Sequence, residues 1–175
     1  TRVNDRLVEI IDVEKVLAEI SPYNTNISDE VIDHDLLSLA KGLEVLVVDD
    51  SSVGLAQCKS TLDHLNIKVH SATDGKRGLE LLKKWAGEGE DVPNKLLMMI
   101  TDAEMPEMDG YRLTREVRED PRLKDLYIVL HTSLSGSFNK AMVQKVGCDD
   151  FLSKFQPDKL ATIIQERIRS VVEAE

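Results

Sequence analysis

Leu43-Glu44-Val45-Leu46-Val47-Val48-Asp49-Asp50 is an apolar run that ends on two adjacent carboxylates. Consecutive aliphatic residues without alternation read as a strand buried on both faces, as in the middle of a parallel sheet. A second such run, Leu96-Leu97-Met98-Met99-Ile100, leads to a third carboxylate at Asp102. Open parallel sheets form their sites beyond the carboxyl ends of their strands. Carboxylates gathered there repel one another and lose water, so the arrangement asks for a cation or a phosphoryl group among them.

Strand and helix signals alternate outward from these runs. Strands are predicted over 43–48, 67–71, 96–101, 126–131 and 149–153, and helices over 52–65, 74–86, 109–119, 136–146 and 157–172. Leu55, Cys58, Leu62 and Leu65 fall on one stripe of the first helix. Leu160, Ile163, Ile164, Ile168 and Val171 do so in the last. Asp74-Gly75 and Asp109-Gly110 mark turns before helices, and Gly147 closes the fourth helix. Gly87 to Asn94 reads as a long acidic loop. Repeated strand–helix units argue for an α/β fold, a parallel sheet covered by helices on both faces.

The chain has 175 residues, 42% of them hydrophobic, enough for one domain with a real core and some extra sequence. A net charge of −10 argues against nucleic acid as a partner. Cys58 and Cys148 lack a metal-ligand spacing and read as reduced, buried thiols, which points weakly to a cytoplasmic setting. No apolar run reaches the roughly 20 residues that span a bilayer, so membrane insertion is not expected. The absence of a starting methionine suggests that Thr1 begins a piece of a longer protein.

Residues 1–20 have a different pattern. Arg6 to Ile11 read as a strand, and Asp12 caps a predicted helix over Val13 to Ile20. A strand and a helix alone cannot enclose a core, so 1–20 read as the end of an upstream domain. Residues 21–41 read as a linker with a short helix near Val31 to Leu39, and 42–175 as the main domain.

The strand ends present a chemical set: Asp49 and Asp50, then Asp102, then Thr132 and Ser133 after the fourth strand, then Lys154 after the fifth. Carboxylates at 49, 50 and 102 suit a hard divalent cation, best Mg2+. One carboxylate can then attack phosphorus, Thr132 can donate to the transferred group, and Lys154 can neutralise another oxygen. No glycine loop for nucleotide phosphates is present.

Asp102-Ala103-Glu104-Met105-Pro106-Glu107-Met108-Asp109-Gly110 resembles the D-x-x-M-P-x-M-D-G block of response-regulator receiver domains. Asp49-Asp50 matches their acidic pair, Thr132 their switch hydroxyl and Lys154 their lysine. The resemblance runs in order from 43 to about 172. It implies a flavodoxin-like fold with strand order 2-1-3-4-5 and phosphorylation of Asp102 by a histidine kinase with Mg2+. It also implies that Asp50, Asp102 and the backbone carbonyl of Glu104 touch the metal, with Asp49 acting through water. Arg6-Leu7-Val8-Glu9-Ile10-Ile11-Asp12-Val13-Glu14-Lys15-Val16-Leu17 resembles the end of a CheW-like domain. A CheW-like domain followed by a receiver is the layout of the CheV family of chemotaxis coupling proteins. Leu130-His131-Thr132-Ser133-Leu134-Ser135-Gly136 and Lys154-Phe155-Gln156-Pro157 are similar to that family too. The implied partners are the kinase CheA and, through the CheW-like part, chemoreceptors.

Some positions depart from the common receiver. Phe155 stands where proline usually follows the lysine; a trans bond is expected there, since a non-proline cis bond costs about 3–4 kcal/mol. Phe151 stands at the aromatic switch position, often tyrosine, so any inward rotation must rest on packing. Glu104 stands where it can influence water attack on a phosphoryl group. The same residues also suit two other functions: a phosphate sink with no output of its own, and an aspartate-dependent phosphatase or phosphotransferase. The latter class needs a second aspartate where this chain has Glu104. The histidines His34, His64, His70 and His131 form no metal pattern and read as surface or strand residues.

Overall fold

The computed structural model describes residues 2–3, 6–7, 27–39, 42–132, 145–154 and 156–173. In chain order these give β1 (Arg2–Val3), β2 (Arg6–Leu7), a 3-10 turn (Asp29–Val31), α1 (His34–Leu39), β3 (Glu44–Val48), α2 (Ser52–His64) and β4 (Lys68–Ala72). There follow α3 (Gly75–Gly87), α4 (Val92–Lys95), β5 (Leu96–Asp102), α5 (Gly110–Glu119), β6 (Ile128–Thr132), β7 (Asp150–Ser153) and α6 (Pro157–Val172). β1 and β2 form a small antiparallel pair.

The main sheet is parallel, in the order β4-β3-β5-β6-β7. Counted from β3, that is the expected 2-1-3-4-5. Strand residues alternate between two cores. Val45, Val47, Met98, Ile100 and Val129 face α2 and α6, packing on Leu62, Ile164 and Ile168. Leu46, Val48, Met99, Ile128 and Leu130 face α3 and α5, packing on Leu82, Leu113 and Val117. Every residue of β5 is buried, as its uninterrupted apolar run predicts for a central strand. Gly78 brings α3 close to β3: a Cβ there would lie 2.9 Å from a Val48 methyl.

The stretch 87–94 is not all loop, because Val92 begins α4, with Pro93 in its first turn where proline is tolerated. The 21–41 stretch has a described part, 27–39, that packs on the α2–α6 face, with Ile27 and Leu36 inside the core. Gln165 of α6 clasps it: Asp33 N–H donates to Gln165 Oε1 at 2.7 Å, and Gln165 Nε2 donates to the Val31 carbonyl at 2.9 Å. Ser28 N–H and hydroxyl both donate to the Asp158 carboxylate at 2.8 and 2.9 Å. The helix expected over 13–20, Ser133, most of the 136–146 helix and the 154–155 peptide lie outside the described residues.

Candidate phosphoacceptor site

β3 and β5 are neighbours in register, Val48 beside Thr101, so their following carboxylates meet at one sheet edge. Asp49 is held by two backbone bonds: its N–H donates to the Ala72 carbonyl at 3.1 Å, and its Oδ1 accepts from Ser51 N–H at 2.8 Å. Ser51 in turn caps α2, its hydroxyl accepting from Gly54 N–H at 3.2 Å. Asp50 is exposed, whereas Asp49 and Asp102 are only 1% and 4% exposed.

Beyond Asp102 the chain folds back over the α3–α5 core, anchored by buried Met105 and Met108. Asp109 then caps α5, its carboxylate accepting from Arg112 N–H at 2.7 Å. Gly110 is required by proximity, since a Cβ there would collide with the Asp102 carbonyl oxygen. The methionines, the aspartate and the glycine of the D-x-x-M-P-x-M-D-G block thus each have a physical task.

Lys154 follows β7 and reaches back across the sheet edge. Its N–H donates to the Thr132 carbonyl at 2.9 Å, which ties the end of β7 to that of β6. Its Nζ lies 2.9 Å from Asp102 Oδ2 and 3.2 Å from Asp49 Oδ2, in a pocket where the lysine side chain is 2% exposed. Asp102 Oδ1 accepts from Glu104 N–H at 3.3 Å. The Glu104 residue is itself exposed. Thr132 is buried at the end of β6 beside Ser153. Phe151 is half-buried on the α3–α5 side, with Lys159 Nζ 5.7 Å above its ring.

The electrostatics follow from burial. Loss of water pushes the Asp49 carboxyl up to about 6, against the pull of Lys154 and with the push of Asp102. Burial raises Asp102 as well, opposed by the Lys154 hydrogen bond. One cation therefore does not balance this site. Oxygens of Asp49, Asp50 and Asp102 lie within 4.8 Å of one another. Asp49 Oδ2 is buried and has Lys154 as an ionic neighbour, yet no hydrogen bond of good geometry reaches it. An acceptor oxygen left in that state, within a cluster of hard oxygens, fits a divalent cation.

Sequence 45–165 matches the family model of the response regulator receiver domain. The chain belongs to this family. It is 35% identical over 164 residues to the chemotaxis protein CheV1 of Helicobacter pylori, covering 92% of this chain and 49% of that protein. It is 29% identical to CheV3 of the same organism, covering 93% and 51%. The chain thus spans about half the length of the curated relatives it matches, and its likeness to CheV reaches well beyond the receiver. The receiver domain of the sensor histidine kinase PA1611 of Pseudomonas aeruginosa, solved with magnesium in its active-site cleft, shares the fold. Its TM-score is 0.61 at 24% identity, covering 73% of this chain and 98% of that one.

Sequence reasoning singled out Asp49, Asp50, Asp102, Thr132 and Lys154, and the fold gathers them at one edge. It overlooked His131, the partner of Asp102 across β5–β6, which is 3% exposed and 3.7 Å from Cys58 Sγ. Burial, with Lys154 nearby, holds this imidazole neutral, its pKa lowered to about 3. It also overlooked Gln165 and Gly54; a glycine in the first turn of a helix was the available signal for the second. Cys58 and Cys148 are both free and buried, in different cores. Among the described residues no helix is long and apolar enough to cross a membrane.

Proposed function

We propose that this receiver is phosphorylated on Asp102 by a histidine kinase of the CheA type, with Mg2+, and that the modification tunes coupling of chemoreceptors to that kinase. The observation that carries the proposal is the position of Asp102. It ends the central strand, with the acidic pair on one side and Lys154 at 2.9 Å on the other. A phosphoryl group joined to an Asp102 carboxylate oxygen would lie beside this buried cation.

In the transfer, a carboxylate oxygen of Asp102 forms a bond to phosphorus as the kinase's phosphorus–nitrogen bond breaks, and the electron pair leaves with the imidazole nitrogen. Asp50, Asp102 and the Glu104 carbonyl would hold a magnesium ion, with Asp49 acting through water, and the ion would supply positive charge against phosphoryl oxygens and the clustered carboxylates. Lys154 neutralises a further oxygen as a point charge, and Thr132 donates its hydroxyl to the new group. Hydrolysis by water returns phosphate and the free carboxylate, so the domain is a phosphoacceptor rather than an enzyme acting on a separate substrate. Phe151, lacking a hydroxyl, responds through packing with Leu130, its partner across β6–β7.

Residues 1–20 are proposed as the end of a CheW-like domain, joined through 21–41 to the receiver at 42–175. The similarity to CheV1 over 92% of the chain supports this layout. The setting is cytoplasmic, at receptor arrays. Incubation with phosphorylated CheA and Mg2+ tests the proposal: wild type takes up label and Asp102→Asn does not. Label on Asp102→Asn equal to wild type overturns it.

A further inference from the structure

Gly54 lies in the first turn of α2 and is buried. Its backbone does not call for glycine, since among the described residues the glycines with positive φ are Gly42, Gly89 and Gly147. Glycine is among the weakest helix formers, and alanine would favour α2 at that position. The space around Gly54 explains the choice. A Cβ there would fall on Asp49 Oδ2, 2.8 Å from Asp49 Cγ and 3.0 Å from Oδ1.

The Asp49 carboxylate has nowhere else to go without losing its partners. Ser51 N–H holds Oδ1 at 2.8 Å, and Lys154 Nζ lies 3.2 Å from Oδ2. A methyl at 54 overlaps the carboxylate, which would have to shift from the position in which it meets both. The rest of the buried face of α2 carries side chains, Cys58, Thr61 and Leu62, so the gap at 54 is local to the acid.

We propose that Gly54 is a positioning residue: its missing side chain makes the room in which Asp49 presents its carboxylate to the metal. The inference rests on the reading of Asp49 as part of the Mg2+ site. The substitution Gly54→Ala is then expected to weaken Mg2+ binding, and any stability it loses by displacing Asp49 is expected to return when Asp49 is removed.

The test is a magnesium titration of the full chain, followed by the amide NMR signals of Glu104 and Lys154, for wild type, Gly54→Ala, Asp49→Ala and the double variant, with urea unfolding of each. Gly54→Ala is expected to raise the Mg2+ dissociation constant on the order of tenfold, the scale of losses when groups that orient metal ligands are changed. In the Asp49→Ala background the same substitution is expected to change it by no more than about twofold and to raise the urea midpoint. A wild-type dissociation constant for Gly54→Ala overturns the inference. So does an equal loss in both backgrounds, or a stability loss that persists without Asp49. If Asp49→Ala itself binds Mg2+ like wild type, the reading of Asp49 falls, separately from the role of Gly54.

Discussion

Lys154 Nζ lies 2.9 Å from Asp102 Oδ2, and both side chains are almost wholly buried, 2% and 6% exposed. The pair spans the sheet edge from the end of β7 to the end of β5, and Asp49 joins it on the far side. Removing one partner of a buried ion pair leaves a charge with no water and no counter-ion, which costs more than the pair contributes. Lys154→Ala is therefore expected to destabilise the metal-free domain by roughly 3 kcal/mol at neutral pH. Because Asp49 and Asp102 can take up protons, the defect should shrink at pH 5. Urea unfolding at both pH values checks this, and an equal defect at each would contradict it.

His131 sets an opposite dependence on pH. Its folded pKa is lowered to about 3 from 6.5, so the unfolded chain binds the extra proton first. Its contribution is fully present above pH 6.5 and is lost as pH falls toward 3. Asp49 acts the other way: with a folded pKa of about 6, the folded state gains stability as pH falls from 6 toward 3.8. His131→Leu should flatten the acid loss of stability, and Asp49→Asn should steepen it. Unfolding midpoints from pH 7 to 4 without Mg2+ measure both slopes.

Gly110 and Gly87 should respond differently to alanine. A Cβ on Gly110 meets the Asp102 carbonyl oxygen, a backbone atom that cannot swing aside, whereas one on Gly87 meets nothing within 4 Å. Gly110→Ala is expected to cost about 2 kcal/mol or more, through overpacking at the strand end. Gly87→Ala should be close to neutral. Thermal unfolding of the two variants makes the comparison.

The segment before β3 offers a third contrast. Gln165 is the buried side chain that accepts from Asp33 N–H and donates to the Val31 carbonyl. Gln165→Leu leaves those backbone groups unpaired, a loss of about 1–3 kcal/mol. Hydrogen exchange at Asp33 should accelerate, with little change in β3 or β5. Exchange at Asp33 as slow as in wild type would show that apolar contacts of Ile27 and Leu36 hold the segment by themselves.

Much of this was legible in the sequence, for reasons that differ by residue. The β3 and β5 runs announce central strands because strands buried on both faces lack alternation, and their terminal acids then have to meet. Asp49, Asp102 and Lys154 could be placed at one edge by that rule alone. Gln165 could not, because a glutamine in an amphipathic helix reads as surface until the 27–39 segment covers it. His131 read as an ordinary strand residue, since nothing local signals that it is buried beside Cys58. The short helix at Val92 was hidden by its acidic surroundings and by Pro93, which marks turns as often as helix starts.

The central claim is that Asp102, and not its neighbours, carries the phosphoryl group. It is tested most directly by transferring phosphate from phosphorylated CheA with Mg2+, reducing the resulting acyl phosphate with borohydride, and locating the altered residue by mass spectrometry. Homoserine is expected at position 102, with Asp49 and Asp50 unaltered. Homoserine at 49 or 50, or an unmodified Asp102 in protein that has taken up label, would contradict it.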